Sequence, residues 1–506
     1  MAVRRAVAAL GLAALVLGAC TGAPQPAADG GRPLTMGPPL GIAWGFLYGY
    51  QGTPALTFLP QVRDLGGGWT KLYVFWNQIE PQRGRYDWTA VDAFLGQLRT
   101  PEEGLIAVFS SSTWATRVPV DLLPPSPARD PADYERFVGA LVAHCRGRVR
   151  YWQNDSEPNN PLYWSGTAAE FVAQLAVFHR AVKAADPSAL VVAGGYDGLF
   201  DPDGFVPGQD QGLAFFDTVL RDGRASFDIF DLRLYADPYT IPARVAFMRR
   251  KMADLGYERP IISTESNGPG FMEFVANRAH VGLLLEWTRS IADTKDGPPR
   301  LSKKAEEGVA ALYARRSELP PATQMFLQGA PPELEARLQR LQCRDLVVRN
   351  VMALAAGVQR TMFWDLWHDT SKRDDVMTLL FGKLKLMEYQ EGRLQERQPL
   401  AGAYRRMSAA LAGVTLVRRR DTPDRPTVYA YDVERAGRPL LLVAWDRREP
   451  LWGETLPPVA LELPWPAPGA RAVDVLGQAV PAPVRDGRLR LMVSANPVFV
   501  EAESAP

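Results

Sequence analysis

Short apolar segments alternate with amphipathic helical patterns between residues 39 and 412. Eight of these segments have the length and the β-branched and aromatic content of strands. They read LGIAWGF, WTKLYVFW, LIAVFSSS, VRYWQN, LVVAGGY, FDIFDLRLY, PIISTES and GVQRTMFWDLW. Eight strand–helix alternations predict an α/β fold, a (β/α)8 TIM barrel whose parallel strands lie inside a ring of helices.

Two of the predicted helices begin at recognisable signals. Thr167 and Glu170 have the spacing of a capping box ahead of an apolar-periodic run. Asp130 precedes Pro131 in the way that an N-cap residue precedes a proline of the first helical turn. Residues 293–344 are more than one barrel helix needs, so we expect a helical insertion there.

From Val414 the hydrophobic period changes to two, and Pro, Gly and Asp turns separate the apolar runs. This pattern predicts an all-β domain over residues 413–506, which we expect to be a β-sandwich. The chain therefore divides into a barrel over residues 39–412 and a smaller C-terminal domain.

The N-terminus is typical of a bacterial lipoprotein signal peptide. Arg4 and Arg5 precede an apolar stretch, and the sequence LGAC ends at Cys20. We expect residues 1–19 to be removed and Cys20 to be lipidated; an ordinary signal peptide with an incidental cysteine is the alternative. Residues 20–38, rich in Pro, Gly and Ala, predict a flexible tether. The expected location is the bacterial cell envelope, after export, with the protein anchored to a membrane.

Composition excludes several functions. The net charge of +1 and the absence of a basic run argue against nucleic-acid binding. The four histidines show no HxH or HExxH spacing, which argues against a catalytic zinc site, and we expect no metal or other cofactor. Cys145 and Cys343 lie within helical patterns and are expected to be buried free thiols rather than a disulfide.

Two glutamates fall at the ends of predicted strands. Glu157 follows the fourth strand and Glu265 ends the seventh. In a TIM barrel the catalytic groups lie at the C-terminal ends of the strands. Glycoside hydrolysis needs two carboxyl groups, one to protonate the departing oxygen and one to attack the anomeric carbon or activate water. One such glutamate alone would be an ordinary loop residue, whereas the two together predict a catalytic pair.

Longer motifs surround these glutamates. They are WNQIEPQRGRYDW, EPNNPLYWSGTAAEF followed by AVKAADPSALVVAGG, ISTESN, AVDVLGQ and NPVFVEAE. In these motifs the chain resembles the clan A glycoside hydrolases, and family 39 in particular, over residues 40 to about 500. The resemblance implies that Glu157 is the acid/base, that Glu265 is the nucleophile, and that an oligo- or polysaccharide is cleaved with retention of configuration. It also implies that Tyr235 donates a hydrogen bond to the nucleophile.

Three residues depart from the clan pattern. Ser156 stands where an asparagine usually contacts the sugar 2-hydroxyl, with Asn154 just upstream. Lys71 stands in place of an arginine that steadies the nucleophile in the clan. The substitution replaces a planar guanidinium, which can donate two parallel hydrogen bonds, with the compact charge of an ammonium group. Arg233 replaces a histidine; pointing inward it would suit an acidic sugar, and otherwise it would turn to a neighbouring carboxylate. An arginine filling the cleft would argue against the retaining mechanism.

Other residues are candidates to line the cleft. Trp364 and Trp367, at the end of the eighth strand, could offer flat apolar surfaces to sugar rings, and packing in the barrel is an equal alternative. Trp114 in the third loop is a weaker candidate, and Asn77 is a polar one. Glu80 could line the cleft or hold its own loop together.

Two functional hypotheses remain. The first is a retaining β-glycosidase or transglycosidase with an unusual sugar subsite. The second is a glycan-binding lipoprotein on a barrel that has lost its activity, because a fold does not guarantee a function. The presence of both glutamates favours catalysis, since binding alone has no need for the pair.

Overall fold

The computed structural model describes residues 31–44, 58–196, 209–292, 303–390 and 393–503. The predicted signal peptide and the lipidation site Cys20 lie outside the described residues, as does part of the tether. Within the described part the barrel strands are β1 Leu40–Ile42, β2 Thr70–Phe75, β3 Gly104–Phe109, β4 Tyr151–Asn154, β5 Leu190–Tyr196, β6 Ile229–Leu232, β7 Ile261–Ser266 and β8 Thr361–Phe363.

These strands form one parallel sheet in the order β1-β8-β7-β6-β5-β4-β3-β2. Two backbone hydrogen bonds connect its outer strands: Ile42 N–H donates to Trp69 O at 3.1 Å and Gly68 N–H donates to Leu40 O at 2.8 Å. The sheet thus closes on itself, and the predicted TIM barrel is confirmed. Its strands are almost wholly buried, as expected when side chains fill the interior and helices cover the outside.

Helices surround the barrel. The described helices are α1 Leu59–Asp64, α2 Trp76–Ile79, α3 Thr89–Leu95, α4 Pro131–His144, α5 Ala168–Ala185, α6 Gln209–Asp222, α7 Ile241–Asp254, α8 Val281–Ala292, α9 Lys303–Ala314, α10 Pro321–Gln324, α11 Pro332–Ala355, α12 Val376–Phe381 and α13 Leu400–Leu411. Both predicted starts are confirmed. The Asp130 side chain accepts from Ala132 N–H, and Thr167 and Glu170 form a reciprocal capping box. None of the described helices is both long and apolar enough to cross a membrane.

The region of the predicted insertion contains α9 and α10. The predicted insertion ends at residue 344, which lies within α11. This helix continues unbroken to Ala355 and leads into β8, and its buried residues are concentrated in its C-terminal half. The first half of α11 is amphipathic and the second half is buried on all sides. The change in hydrophobic pattern therefore reflects a change of surroundings along one helix and not the end of a helix.

Beyond a short hairpin, the C-terminal residues form two antiparallel sheets. The strands are β9 Met387–Gln390, β10 Arg393–Glu396, β11 Val414–Arg420, β12 Val428–Arg435, β13 Leu441–Asp446, β14 Val459–Pro464, β15 Gly469–Asp474, β16 Ala479–Val480, β17 Val484–Arg485, β18 Arg488–Val493 and β19 Val498–Glu503. A six-stranded sheet, β11-β12-β13-β19-β15-β16, and a three-stranded sheet, β14-β18-β17, enclose one apolar core. The predicted β-sandwich is confirmed.

The described end of the predicted tether is attached to the protein. Leu34 N–H donates to Thr415 O at 2.8 Å, Thr35 N–H donates to Gln359 Oε1 at 2.8 Å, and Gln359 Nε2 donates to Pro33 O at 3.0 Å. Residues 33–35 therefore bridge the sandwich and the barrel. The polar side chain of Gln359 supplies contacts that the Pro- and Gly-rich composition of the segment does not reveal.

Candidate active site

Glu265 lies near the C-terminal end of β7 and is held by four side chains. Tyr73 donates to its Oε1 at 2.8 Å, and Tyr235 donates to its Oε2 at 3.0 Å. Lys71 forms a buried hydrogen-bonded ion pair with Oε1, and Arg233 Nη2 lies 3.0 Å from the same oxygen. Two cations and two phenols therefore surround one carboxylate.

This environment determines the charge of Glu265. Burial alone would raise its pKa, but the charges of Arg233 and Lys71 and the hydrogen bonds from Lys71 and Tyr73 outweigh burial and lower the pKa to about 2. Burial also lowers the pKa of Lys71 to about 8, against the opposing charge of Glu265. The pKa of Tyr73 and that of Tyr235 are raised by burial and by Glu265, so both phenols remain donors. Glu265 is an ionised carboxylate at neutral pH.

Glu157 lies three residues beyond β4, in a loop where Asp155 and Glu157 both have positive φ, 51° and 48°. Its Oε1 accepts from Arg233 Nε at 3.0 Å. Because Arg233 Nη2 is also 3.0 Å from Glu265 Oε1, both glutamates contact one guanidinium group. The strand ends bring the predicted pair together.

The guanidinium of Arg233 is the most deeply buried of the three charged groups. The residue is only 1% exposed, whereas Glu157 is 8% and Glu265 is 6% exposed. Its Nη1 donates to Asp231 Oδ2 at 2.5 Å and to Thr264 Oγ1, both fully buried in the barrel interior. A Cβ at Gly195 would lie 2.5 Å from Arg233 Cζ, so the glycine of β5 makes room for this side chain. Arg233 therefore connects the two glutamates to the buried groups of the barrel interior.

Arg233 was predicted to bind substrate, and the structure instead places it against protein acceptors. Nε contacts Glu157, Nη1 contacts Asp231 and Thr264, and Nη2 donates to Ser156 Oγ at 2.5 Å. Every nitrogen of the fork is engaged, so no bidentate face remains for the carboxylate of an acidic sugar. The alternative from the sequence, an arginine turned to neighbouring carboxylates, describes the structure.

The three departures from the clan pattern form one network. The Ser156 hydroxyl accepts from Arg233 Nη2, so two of the departures contact each other directly. Arg233 in turn supplies a guanidinium to Glu265, beside which Lys71 provides a compact second cation. The lysine is fully buried and also donates to Thr264 Oγ1 at 3.3 Å, so it contacts the nucleophile candidate rather than an incoming ligand.

The structure directs several other candidates away from the cleft. Asn154 is fully buried and accepts from Tyr134 OH at 2.7 Å. Asn77 Oδ1 accepts from Thr113 N–H at 3.0 Å and so fixes the third loop. Glu80 is fully buried, forms an ion pair with Arg136 and accepts from Gly84 N–H at 2.5 Å. Asn154 and Glu80 are buried and need such partners, because burial of a polar group without one would be costly.

The three candidate tryptophans have different surroundings. Trp364 packs edge-on against Tyr73 with ring centroids 5.9 Å apart, and Lys71 Nζ lies 5.4 Å from its ring centroid, so it forms a wall beside Glu265. Trp367 is half-buried and its ring lies 5.6 Å from that of Tyr389. Trp114 donates to Glu80 O at 3.0 Å and packs edge-on against Trp76, which makes it part of the loop framework.

Three residues of the site were missed in the sequence. Tyr73 alternates with Lys71 on β2, and Asp231 alternates with Arg233 and Tyr235 on and after β6. Residues two apart on a strand point to the same side, so the period of two was the available signal. Thr264, which donates to Asp231 Oδ2 at 2.7 Å, gave no such signal, because its partner lies on another strand.

The site contains carboxylates and cations but no metal-binding cluster. Among the described residues, no group of three or more His, Cys, Asp or Glu side chains could hold a metal ion. Cys145 and Cys343 are buried and free, and burial raises the pKa of each thiol to about 12. The arrangement offers an ionised carboxylate fixed for attack on an electrophilic carbon, and a second carboxyl group facing it that can carry a proton.

No protein-family model and no characterised protein sequence matches the chain. Its structure is similar to a family 39 glycoside hydrolase from Bacteroides cellulosilyticus WH2, with a TM-score of 0.60 and 15% identity over 93% of this chain and 81% of that chain. A family 39 β-xylosidase from Caulobacter crescentus matches with a TM-score of 0.52 and 15% identity over 95% of this chain and 98% of that chain.

A family 51 α-L-arabinofuranosidase from Bifidobacterium longum also matches, with a TM-score of 0.56 and 12% identity over 94% of this chain and 98% of that chain. These alignments cover both the barrel and the sandwich. The chain therefore has the fold of the clan A glycoside hydrolases, as the motifs predicted.

Proposed function

We propose that this protein is a glycoside hydrolase that cleaves β-glycosidic bonds with retention of configuration. The observation that carries the proposal is the pair Glu157 and Glu265, which lie after β4 and in β7 and both contact Arg233. Retaining enzymes need two carboxyl groups about 5–5.5 Å apart. The similar solved structures support the proposal through their shared fold.

Glu265 has the properties of the nucleophile. It stays ionised at neutral pH, and Tyr73 and Tyr235 fix both of its oxygens. In the first step this carboxylate attacks the anomeric carbon and forms a glycosyl-enzyme ester, while Glu157 protonates the departing oxygen. In the second step Glu157 takes a proton from water, which attacks the ester and releases the sugar. Another sugar hydroxyl in place of water would give transglycosylation.

The proposed mechanism needs a proton on Glu157 in the first step. The cluster contains three carboxylates, Glu157, Glu265 and Asp231, and two cations, Lys71 and Arg233. One proton on a carboxylate makes the cluster neutral. Glu265 is fixed as an acceptor by both cations, and Asp231 accepts from Thr264 N–H at 2.9 Å and from Gln153 at 2.7 Å. In the proposed mechanism Glu157 is the carboxyl group that carries this proton.

One observation favours the second candidate, a glycan-binding protein without activity. Arg233 lies 3.0 Å from Glu157, and a permanent positive charge at this distance stabilises a carboxylate over a carboxylic acid. A protein that only binds glycans would tolerate the contact between Arg233 and Glu157. In a hydrolase the same contact opposes the protonated form that a proton donor requires. The two candidates therefore differ in whether Glu157 gives up a proton.

A panel of aryl β-glycosides separates the two candidates. The wild type is expected to hydrolyse at least one member, and Glu265→Gln, which keeps the shape of the side chain, is expected to be inactive. Glu135→Gln, on the exposed surface, is the matched control and is expected to keep full activity. Glycan binding by the wild type and by Glu265→Gln, with no hydrolysis by either, would establish the binding protein instead.

The proposed setting is the bacterial cell envelope, with Cys20 lipidated and the barrel exposed to oligo- or polysaccharides. The support is the sequence LGAC after an apolar stretch. Metabolic labelling with a fatty acid is expected to mark the full-length wild type and not Cys20→Ala. Label retained in Cys20→Ala, or absent from both, would contradict lipidation at Cys20.

A further inference from the structure

Asp155 is a buried carboxylate two residues before Glu157, and the proposed reaction does not use it. Its side chain is fully buried. The backbone φ is 51° at Asp155 and 48° at Glu157. Both values lie in the left-handed region, which residues other than glycine adopt at a cost. The loop that carries Glu157 is therefore strained at two positions and needs contacts that hold it.

Those contacts come from the neighbouring strand β3 and its end. Ser110 N–H donates to Asp155 Oδ1 at 2.8 Å, and the Ser110 hydroxyl lies 3.1 Å from both carboxylate oxygens. Asn154 Nδ2 donates to Asp155 Oδ2 at 3.2 Å, and Asp155 N–H donates to Val108 O at 2.9 Å. Side chain and backbone of Asp155 thus both attach the loop to β3.

The surroundings of Asp155 are neutral. Besides Ser110 and Asn154, the groups that face it are the Tyr134 phenol on α4 and the Gln174 amide on α5, and no cation of the described chain pairs with it. Burial raises the pKa of Asp155 to about 7, against the hydrogen bonds from Ser110. Its charge changes near neutrality, while Glu265 stays ionised down to about pH 2.

We propose that Asp155 is a positioning residue for Glu157, and that it holds the Glu157 loop in place only while its carboxylate is ionised. This inference rests on the proposed function of Glu157. The ionised group accepts every hydrogen bond from Ser110 and Asn154. A neutral Asp155 is a weaker acceptor, because hydrogen bonds to an ionised carboxylate are roughly twice as strong as those between neutral groups, so the contacts from Ser110 and Asn154 weaken and the strained loop is held less firmly.

The pH dependence of hydrolysis tests the proposal, with an aryl β-glycoside that the wild type cleaves. The wild-type kcat/KM is expected to fall below about pH 7. Asp155→Asn cannot titrate, so it is expected to lack this acidic limb, with kcat about 10- to 100-fold lower at pH 8 and KM little changed, because the loop is misplaced. Ser110→Ala removes a donor to the carboxylate and is expected to move the limb to higher pH.

Asp186 provides the matched control. It is also buried and accepts from Ser188 N–H at 3.0 Å and Gly147 N–H at 3.2 Å, but it lies at the end of α5. Asp186→Asn is expected to keep the wild-type pH profile. A wild type without an acidic limb above pH 5, or an Asp155→Asn variant that retains that limb, would overturn the proposal.

Failure of the proposed function can be told apart from failure of this inference. If no glycoside is cleaved, crystal structures of the wild type and Asp155→Asn at pH 5 and pH 8.5 show the position of Glu157 directly. A loop displaced at pH 5 in the wild type, with no such change in the variant, supports positioning by Asp155. An identical Glu157 position in the wild type at both pH values refutes it.

Discussion

Replacement of Arg233 by methionine tests how the site is held together. Methionine keeps much of the apolar volume but removes the charge and the fork. Asp231, Glu157 and Glu265 then lose a shared cation at a position that is 1% exposed. Removal of one partner from a buried ion pair costs about 3–5 kcal/mol, and we expect Arg233→Met to lower the free energy of unfolding at pH 7 by this amount.

The loss is expected to depend on pH. In the wild type the pKa of Glu265 is about 2, below its ordinary value of 4.5, because Arg233 and Lys71 outweigh burial. Its contribution to stability is therefore present above about pH 4.5 and disappears as the pH falls through about 2. In Arg233→Met the pKa of Glu265 is higher. The difference in free energy of unfolding between the wild type and the variant is therefore expected to be smaller at pH 3 than at pH 7.

Urea unfolding at pH 7 and pH 3 measures both effects. Arg180→Met is the control, because Arg180 pairs with Glu135 on the surface, with side chains 57% and 39% exposed, and it is expected to leave the stability nearly unchanged. An Arg233→Met variant within 1 kcal/mol of the wild type at pH 7, or one with the same loss at both pH values, would refute the buried charge network.

Two further predictions concern Lys71 and the start of α5. Burial lowers the pKa of Lys71 to about 8, so above pH 8 Glu265 loses one of its cations and hydrolysis is expected to decline. In Lys71→Arg the side chain keeps its charge above pH 8, so hydrolysis by this variant is expected to decline only at higher pH. The same alkaline limb in wild type and Lys71→Arg would contradict the role of Lys71 as a titrating cation. Thr167→Ala removes the hydroxyl that accepts the capping hydrogen bond from Glu170 N–H. It is expected to lower the free energy of unfolding by about 1 kcal/mol, measured by thermal unfolding. Thr167→Ser keeps the cap and should match the wild type, whereas equal losses in both variants would exclude capping as the cause.

The sequence predicted the parts of the site that depend on local pattern. Strand periodicity and the turn after each strand were enough to put Glu157 and Glu265 at the same end of the barrel. The partners of Arg233 could not be predicted in the same way, because they lie in the loop after β4, on β6 and on β7 and depend on how those strands are aligned. The glycine pair at residues 194 and 195 was the one local sign that space existed beside β5.

The roles of polar residues in loops were the hardest to predict. Asn77 and Asn154 have the chemistry of sugar ligands, yet both are turned to neighbouring loops and helices. An amide serves a ligand and a loop equally well, so its type alone does not distinguish the two roles. The long helix α11 shows a related limit, since its hydrophobic pattern reflects two different surroundings along one continuous helix.

The configuration of the first product tests the central claim most directly. Proton NMR during hydrolysis of an aryl β-glycoside is expected to show the β-anomer first, with the α-anomer appearing only by later mutarotation. Glu157→Gln is expected to slow the reaction by about 10²–10⁴-fold, because the positioned acid/base is lost. The α-anomer as first product, or the same slow rate in wild type, Glu157→Gln and Glu265→Gln, would contradict retaining catalysis by this pair.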